Sequence, residues 1–501
     1  MDLFQSLALG FGQALAPLNL LWCLVGVLIG TLVGVLPGLG PAATIAMLLP
    51  FTYGLSPVAA MIMLAGIYYG AQYGGSTTAI LINLPGEASS VVTAIDGYKM
   101  ARQGRAGTAL ATAAISSFAA GTIATILLAL FAPSLAEVGL LFGPAEYFAL
   151  MTLGLVASIL LASGSMMKGV AMVLAGILLG LIGQDVQTAL PRFTFRISEL
   201  EDGIGFVVVA MGLFGIGEII RDLENHEKRV AITQAVTGLV PSRADLIRMI
   251  APTARGTIIG SVLGILPGGG ALLASFAAYS IEKRIARPPE GMGNGAIEGV
   301  AAPESANNAG AQTSFVPMLT LGIPSNAVMA LMIGALIVQG VAPGPTLVTE
   351  KPEIFWGVIA SMWIGNAMLI VLNLPLIGIW VRLLSVPFAY LFPAILLFCA
   401  IGAFSMSNST FDIWLLALFG VLGYLFAKLE CEPSPLILGL VLGPMMEENF
   451  RRAIQLSKGD YWTFLQRPLS ASLLACAGLA LLVVVLPSIR SAREGAFSPK
   501  A

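Results

Sequence analysis

The sequence predicts an all-α polytopic membrane protein of about 10 to 12 transmembrane helices, arranged as two inverted-topology repeats with re-entrant hairpins and broken helices. Three observations predict it. Of 501 residues, 57% are hydrophobic and only 10% charged, less than half the charged share of an ordinary soluble domain, so polar side chains are too few to cover a soluble surface. Long apolar stretches recur to the end of the chain. A Pro-Gly-containing motif from the first half returns in the second, 230 residues later.

Composition also excludes. A formal charge of −2 leaves no basic footprint for nucleic acid. Cys23, Cys399, Cys431 and Cys476 are far apart and form no CxxC pair, so neither a disulfide framework nor a zinc site is indicated. His226 is the only histidine and lies in a charged run, which argues against a metal cluster, a haem site or a catalytic triad. The sequence therefore indicates no enzyme and no cofactor. The start, Met1-Asp2-Leu3-Phe4, has no positive n-region, and a cleaved signal peptide is not expected.

The apolar stretches lie near 20–36, 58–72, 108–132, 138–162, 169–183, 203–220, 326–342, 354–381, 388–404, 411–427, 434–446 and 469–487. A full crossing takes about 20 apolar residues, so several are complete spans and several are too short. Residues 1–98 contain no Lys or Arg, and the first cations are Lys99, Arg102 and Arg105. By the positive-inside rule that loop, Asp96 to Gly107, is cytoplasmic, as are the polar stretch from Arg221 to Arg255, the run Lys283 to Arg287, Arg451-Arg452 and the C-terminal tail. The expected organisation is a first transmembrane repeat over 1–220, a cytoplasmic linker over 221–254, a second repeat over 255–490 and a cytoplasmic tail over 491–501.

The duplication is read residue by residue. Ile29-Gly30-Thr31-Leu32-Val33-Gly34-Val35-Leu36-Pro37-Gly38-Leu39-Gly40 returns as Ile259-Gly260-Ser261-Val262-Leu263-Gly264-Ile265-Leu266-Pro267-Gly268-Gly269-Gly270. A second echo, at an offset near 240, sets Gly70-Ala71-Gln72 with Leu84-Pro85-Gly86 against Gly310-Ala311-Gln312 with Ile323-Pro324-Ser325. Cations flank the second Pro-Gly segment on both sides and the first on neither, as expected of hairpins entering from opposite faces. Each arm is expected to be short, roughly 20 Å of helix, against a hydrocarbon core of roughly 30 Å.

Pro37, Gly38 and Gly40, with Gly268 and Gly269, break helices and free backbone N–H and C=O groups. In lipid these groups must face protein or a polar cavity. The N-terminal end of the next half-helix then suits a carboxylate; a kink that only lets helices pack closely is the competing reading. Ser76, Thr77, Thr78 and Asn83 in the first half, and Asn307, Asn308, Thr313 and Ser325 in the second, supply hydroxyls and amides for a polyanion. Hydroxyls inside helices also bond their own backbone. Among carboxylates in apolar surroundings, Glu87, Asp96, Glu146, Asp185, Glu298, Glu304 and Asp412, the first candidate for the coupling ion is Glu304, then Glu298, with Asn308 beside it. A site in water at the membrane interface remains the alternative for both glutamates.

The stretch from Gly34-Val35-Leu36-Pro37-Gly38-Leu39-Gly40-Pro41, through Gly66 to Thr77, to Asp96-Gly97-Tyr98 resembles the large membrane subunit of the tripartite tricarboxylate transporter family, the TctA type. Ala302-Pro303-Glu304-Ser305-Ala306-Asn307-Asn308-Ala309 and Gly322-Ile323-Pro324 resemble that family's second signature. The resemblance implies a permease in the bacterial inner membrane. It would import citrate-like tricarboxylates or related carboxylates by Na+ or H+ symport. Its partners would be a small four-helix membrane subunit (TctB-like) and a periplasmic solute-binding protein (TctC-like). No Walker A sequence is present, which fits a carrier without ATP. An uncoupled re-entrant-loop anion channel is the alternative.

Overall fold

In the computed structural model, which describes residues 2–36, 40–161, 165–185, 187–224, 238–266, 270–285, 291–383 and 388–485, the chain is almost wholly helical. It opens with α1 (Leu3–Ala14) and α2 (Pro17–Val35), and passes through the short α3 (Pro41–Leu48) into α4 (Pro57–Ile82). A break at 83–87 leads to α5 (Val91–Met100), a π-helical turn (Ala101–Arg105) and the long α6 (Ala106–Gly139). Next come α7 (Pro144–Leu161), α8 (Met166–Gly180), a two-stranded ribbon (Gly183–Gln184 with Pro191–Arg192), and α9 (Phe206–Ala210), which a second π turn (Met211–Ile216) joins to α10 (Gly217–Glu224).

The second half runs through α11 (Arg243–Ile265), α12 (Gly270–Ile285), α13 (Glu298–Thr313), α14 (Phe315–Leu321), α15 (Ala327–Val338), α16 (Thr346–Glu350) and α17 (Pro352–Asn373). It closes with α18 (Ile377–Leu383), α19 (Phe388–Ser407), α20 (Thr410–Lys428), α21 (Ser434–Leu456), α22 (Thr463–Gln466) and α23 (Pro468–Val485). Five described stretches are long and apolar enough to cross a bilayer: Pro17–Val35, Ala88–Gly139, Arg243–Ile265, Pro352–Asn373 and Thr410–Lys428. The chain is thus an all-α polytopic membrane protein.

Local sequence explains the helix ends. Prolines open α2, α3, α4 and α17, where their missing N–H costs nothing. Ser242 and Asp245 form a reciprocal capping box at the start of α11. That helix already runs from Arg243, so its first turns carry part of the polar stretch read as linker. The breaks of the two halves use one device. Asn83 ends α4 and Gly322 ends α14, both in the left-handed conformation (φ 57° and 71°), and a proline follows two residues on in each case.

The first arms of the hairpins are longer than the roughly 20 Å expected: α2 has 19 residues and α11 has 23. The reason is a partner for each. Gly26, Gly30 and Gly34 of α2 face Met63, Ile67 and Ala71 of α4 at a constant offset, so the two helices run parallel in close contact. A Cβ added at Gly30 would lie 2.4 Å from the Ile67 carbonyl oxygen. Gly256, Gly260 and Gly264 of α11 repeat the pattern against Ala302, Ala306 and Gly310 of α13, and a Cβ at Gly260 would lie 2.3 Å from the Ala306 oxygen. Small residues at every fourth position let backbones touch where lipid supplies no hydrophobic drive between helices.

Each half also lends cover to the other. Helix α17 packs on α4 and α6 on α13, while α21 packs on α8 and α20 on the Met211–Ile216 turn. The hairpin of α11 and α12 is pinned by Arg255, whose guanidinium donates two hydrogen bonds to Glu282 (2.9 and 2.6 Å). Near the ribbon, Arg192 and Arg451 both pair with Asp185. Asp185 also accepts backbone N–H bonds from Thr188 and Gln187, and these bonds, Thr188 first, hold its carboxyl down at about 2.

A Gly260→Val substitution drives a branched side chain into the α13 backbone. Overpacking of this kind costs about 1–3 kcal/mol even where side chains can yield, and here the neighbour is a carbonyl. The expected outcome is a marked loss of detergent-stable, monodisperse protein, with Gly12→Val, whose added Cβ would meet nothing within 4 Å, behaving as wild type; size-exclusion chromatography after solubilisation checks both.

Candidate functional site

The two parallel pairs meet head to tail. Ser76 of α4 reaches Glu304 of α13, and Gln72, one turn earlier on α4, shares the Ser89 hydroxyl with Asn307, one turn later on α13. Helices α4 and α13 therefore approach each other antiparallel, and the polar segment of each half faces that of the other.

Glu304 is wholly buried. Ser76 (2.7 Å) and Thr93 donate to its Oε1 and Ser117 (3.2 Å) to its Oε2, so α4, α5 and α6 each supply one hydroxyl. Asn308 donates to Ser117 (2.6 Å) and fixes that hydroxyl's direction. Three O–H donors satisfy a carboxylate, and among the described residues no Lys or Arg forms an ion pair with it. A void of about 10 Å³ adjoins it, lined by Tyr73, Ser76, Thr77, Ser117 and Asn373, which is room for about one small particle. A charge this deep without a cation is costly, so the geometry suits a site that takes up a small cation or a proton.

Beside it lies a cavity of about 500 Å³, within the range of about 300–1,000 Å³ usual for small-ligand sites. Gly40 to Ala43 at the start of α3 line it, as do Gly270 to Leu273 at the start of α12, Ala88, Ser89 and Val91 leading into α5, Asn326 to Val328 at the start of α15, and Ser434-Pro435 at the start of α21. Five helix N-termini thus converge; at α3 and α21 no side chain caps them, while α5 continues a 3-10 turn (Ala88–Ser90) that already bonds the N–H groups of Ser90 and Val91. Their free N–H groups and positive dipole ends favour an anion. Arg221 supplies a cation; Tyr68, Gln72 and Ser89 add polar side chains, and Glu87, Glu218 and Glu432 add carboxyl groups.

The residues singled out from sequence fall into three groups. Ser76, Thr77, Asn308 and Glu304 are brought together at the buried carboxylate, while Gly40 lines the cavity and Asn307 bonds to Glu87 at its wall. Others serve the scaffold: Thr78 donates to the Val35 carbonyl, Thr313 to that of Ala309, and Ser325 to that of Ser314, while Asn83 is an exposed helix end. Glu298 is held by a two-pronged bond from Arg248 (both 2.9 Å), one helical turn and more before Glu304 on α13 and apart from its cluster. Pro37, Gly38, Gly268 and Gly269 lie outside the described residues; Gly40 and Gly270, at the edges of those segments, line the cavity.

Sequence reading missed Arg221, Tyr68, Gln72, Ser89, Thr93 and Ser117. Gln72 stands in the repeated Gly70-Ala71-Gln72 motif without being singled out as a site residue, Ser117 carries no motif signal of its own, and Arg221 falls at the edge of the expected linker. Asp96 is wholly buried and belongs to α5, accepting from Tyr279 (2.8 Å) and from the backbone N–H groups of Gly293, Gly295 and Ala296 (2.7–2.9 Å). It clasps the first half to the loop before α13.

Broken helices from two repeated segments, enclosing an internal cavity rich in helix N-termini, define a polytopic membrane protein built on the plan of solute carriers. The family model described as the tripartite tricarboxylate transporter TctA family matches residues 20–438, and the chain belongs to that family. It is 58% identical over 497 residues, 99% of each chain, to an uncharacterised 52.8 kDa protein in the TAR-I ttuC' 3' region of Agrobacterium vitis. A second protein of that organism, in the TAR-II ttuC' 3' region, is 56% identical over 238 residues, covering 48% of this chain and 98% of that relative. No solved structure matches the chain.

Replacing Asp96 by Asn leaves one carbonyl oxygen for four donors. At least one buried N–H then goes unpaired, at about 1–3 kcal/mol. A lower melting temperature in detergent is expected, read by intrinsic fluorescence, with the wild-type value excluding the clasp.

Proposed function

We propose that this chain is the large permease subunit of a binding-protein-dependent secondary transporter that imports tricarboxylates or related carboxylates by symport with Na+ or H+. The convergence of five helix N-termini and Arg221 on one internal cavity supports the anionic substrate. Glu304 is the coupling-ion group, with Ser76, Thr77 and Asn308 around it, and Glu298 only holds the mouth of α13. A core built from the two hairpins, one in each repeat (1–220 and 255–490), moves against a scaffold of the remaining helices to expose the cavity alternately. The family assignment supports a small TctB-like membrane subunit and a TctC-like periplasmic binding protein as partners and the bacterial inner membrane as the location, and the cations Arg490, Arg493 and Lys500 support a C-terminus inside.

The test is uptake of labelled citrate into proteoliposomes holding this chain, its small partner and the binding protein, with Na+ and proton gradients imposed separately. Accumulation above the external concentration under one gradient supports the reading and identifies the ion; flux that never exceeds equilibrium points to a channel instead.

In the same vesicles Glu304→Gln is expected to insert normally but to lose gradient-driven accumulation. The amide carries no negative charge to balance a cation and cannot exchange a proton, while it keeps the size of the side chain. Uptake equal to wild type would remove Glu304 from the coupling role.

A further inference from the structure

Glu87 stands on the wall of the cavity, where an ionised carboxylate opposes an incoming anion. It belongs to a closed ring of three side chains. Asn307 Nδ2 donates to Glu87 Oε1 (3.0 Å), Ser89 Oγ lies against Glu87 Oε1, and Ser89 Oγ lies 2.8 Å from Asn307 Oδ1. Gln72 Oε1 is a further oxygen 3.0 Å from Ser89 Oγ. A ring of three hydrogen bonds needs three protons, one per edge. Asn307 supplies one and Ser89 supplies one, because a hydroxyl carries a single proton. With Glu87 ionised, one oxygen pair is left facing itself, and turning the Asn307 amide only moves the conflict to the Glu87 edge. A proton on Glu87 closes the ring: Asn307 donates to Glu87, Glu87 to Ser89, and Ser89 to Asn307. The Gln72 amide, turned about, then donates to the remaining lone pair of Ser89.

We propose that Glu87 is protonated while this ring is closed, which readies the cavity for a carboxylate substrate, and that this proton is taken from water on one side and released on the other in each transport cycle. The proposal rests on the carrier reading above and adds to it a second titrating carboxyl, distinct from Glu304 and lying at the substrate itself. The titratable and charged groups around Glu87 are Tyr68 from α4 and Glu304, one turn from Asn307 on α13, and, lining the same cavity, Arg221 and Glu218 from α10 and Glu432 ahead of α21. The oxygen separations of 2.8–3.0 Å are hydrogen-bond lengths, which fit protons between the atoms and leave no room for a metal ion. Because the ring joins the break after α4 to α13, loss of the proton unfastens a contact between the two halves.

The experiment has two arms. In liposomes with the small subunit, the infrared difference spectrum of wild type minus Glu87→Gln at neutral pH is expected to show the C=O stretch of a protonated carboxyl, shifted by deuterium exchange. Carboxylate stretches in its place would overturn the proposal. Where Glu87→Gln does not insert, Glu304→Gln protein decides the question, because Glu304 then adds nothing to the carboxyl region. There the C=O band is expected at neutral pH and is expected to give way to carboxylate bands as the pH rises; carboxylate bands alone at every pH overturn the proposal. In the transport arm, Glu87→Gln is expected to lose accumulation driven by a proton gradient, and accumulation equal to wild type overturns the proposal. Wild type that moves no citrate under any gradient counts against the carrier reading as stated for citrate, and the infrared arm still decides the state of Glu87.

Discussion

Close backbone contact between parallel helices is the constraint on which the rest of this structure depends. Glycines at every fourth position of α2 and α11 let those helices lie against α4 and α13 with carbonyl oxygens where a Cβ would be. The contact holds each helix break against its neighbour. A Cβ at Gly86, in the break after α4, would lie 1.8 Å from the Gly34 oxygen at the end of α2. Non-helical backbone is tolerated at membrane depth only when buried in protein or facing a polar cavity, and this packing provides both conditions at once.

From that packing the polar interior follows. Because α4 and α13 are antiparallel, the hydroxyls of α4 meet the carboxylate and amides of α13, and Ser117 of α6 completes the shell about Glu304. A short helix after each break aims its N-terminus into the cavity. The cavity is thus positive from backbone dipoles and one guanidinium, while its carboxyl groups are negative when ionised. An anion gains from the first set and is repelled by the second. That opposition gives a physical reason for coupling: a cation or proton that neutralises the carboxyl groups makes the cavity hospitable to a carboxylate.

Much of this was legible in the residues. The composition and the run of apolar stretches led to the all-α membrane class, and most stretches coincide with helices, among them α2, α6, α17 and α20. Glu304 and its neighbours Ser76 and Asn308 were identified from residue type and surroundings. Helix α13 escaped the hydropathy pattern because it is rich in polar and small residues, yet it is buried from Gly299 to Thr313; its surroundings are protein on all sides, and hydropathy registers only lipid. Asp96 read as part of a basic cytoplasmic loop because the clasp that buries it comes from Tyr279 and the loop at 293–296, nearly 200 residues away.

The sequence by itself determined the class, the duplication and the positions of the breaks, since these depend on residue type and local spacing: proline and glycine interrupt helices wherever they fall, and apolar runs partition into lipid. Only the tertiary structure decided which polar residues meet. Glu87, Ser89, Gln72 and Asn307 converge from three elements, whereas Thr78 and Thr313, equally promising as residue types, direct their hydroxyls to backbone carbonyls. The physical reason is that a hydroxyl or amide is satisfied by whichever partner the packing brings within about 3 Å, and the register between α4 and α13 is set by glycine contacts on their opposite faces.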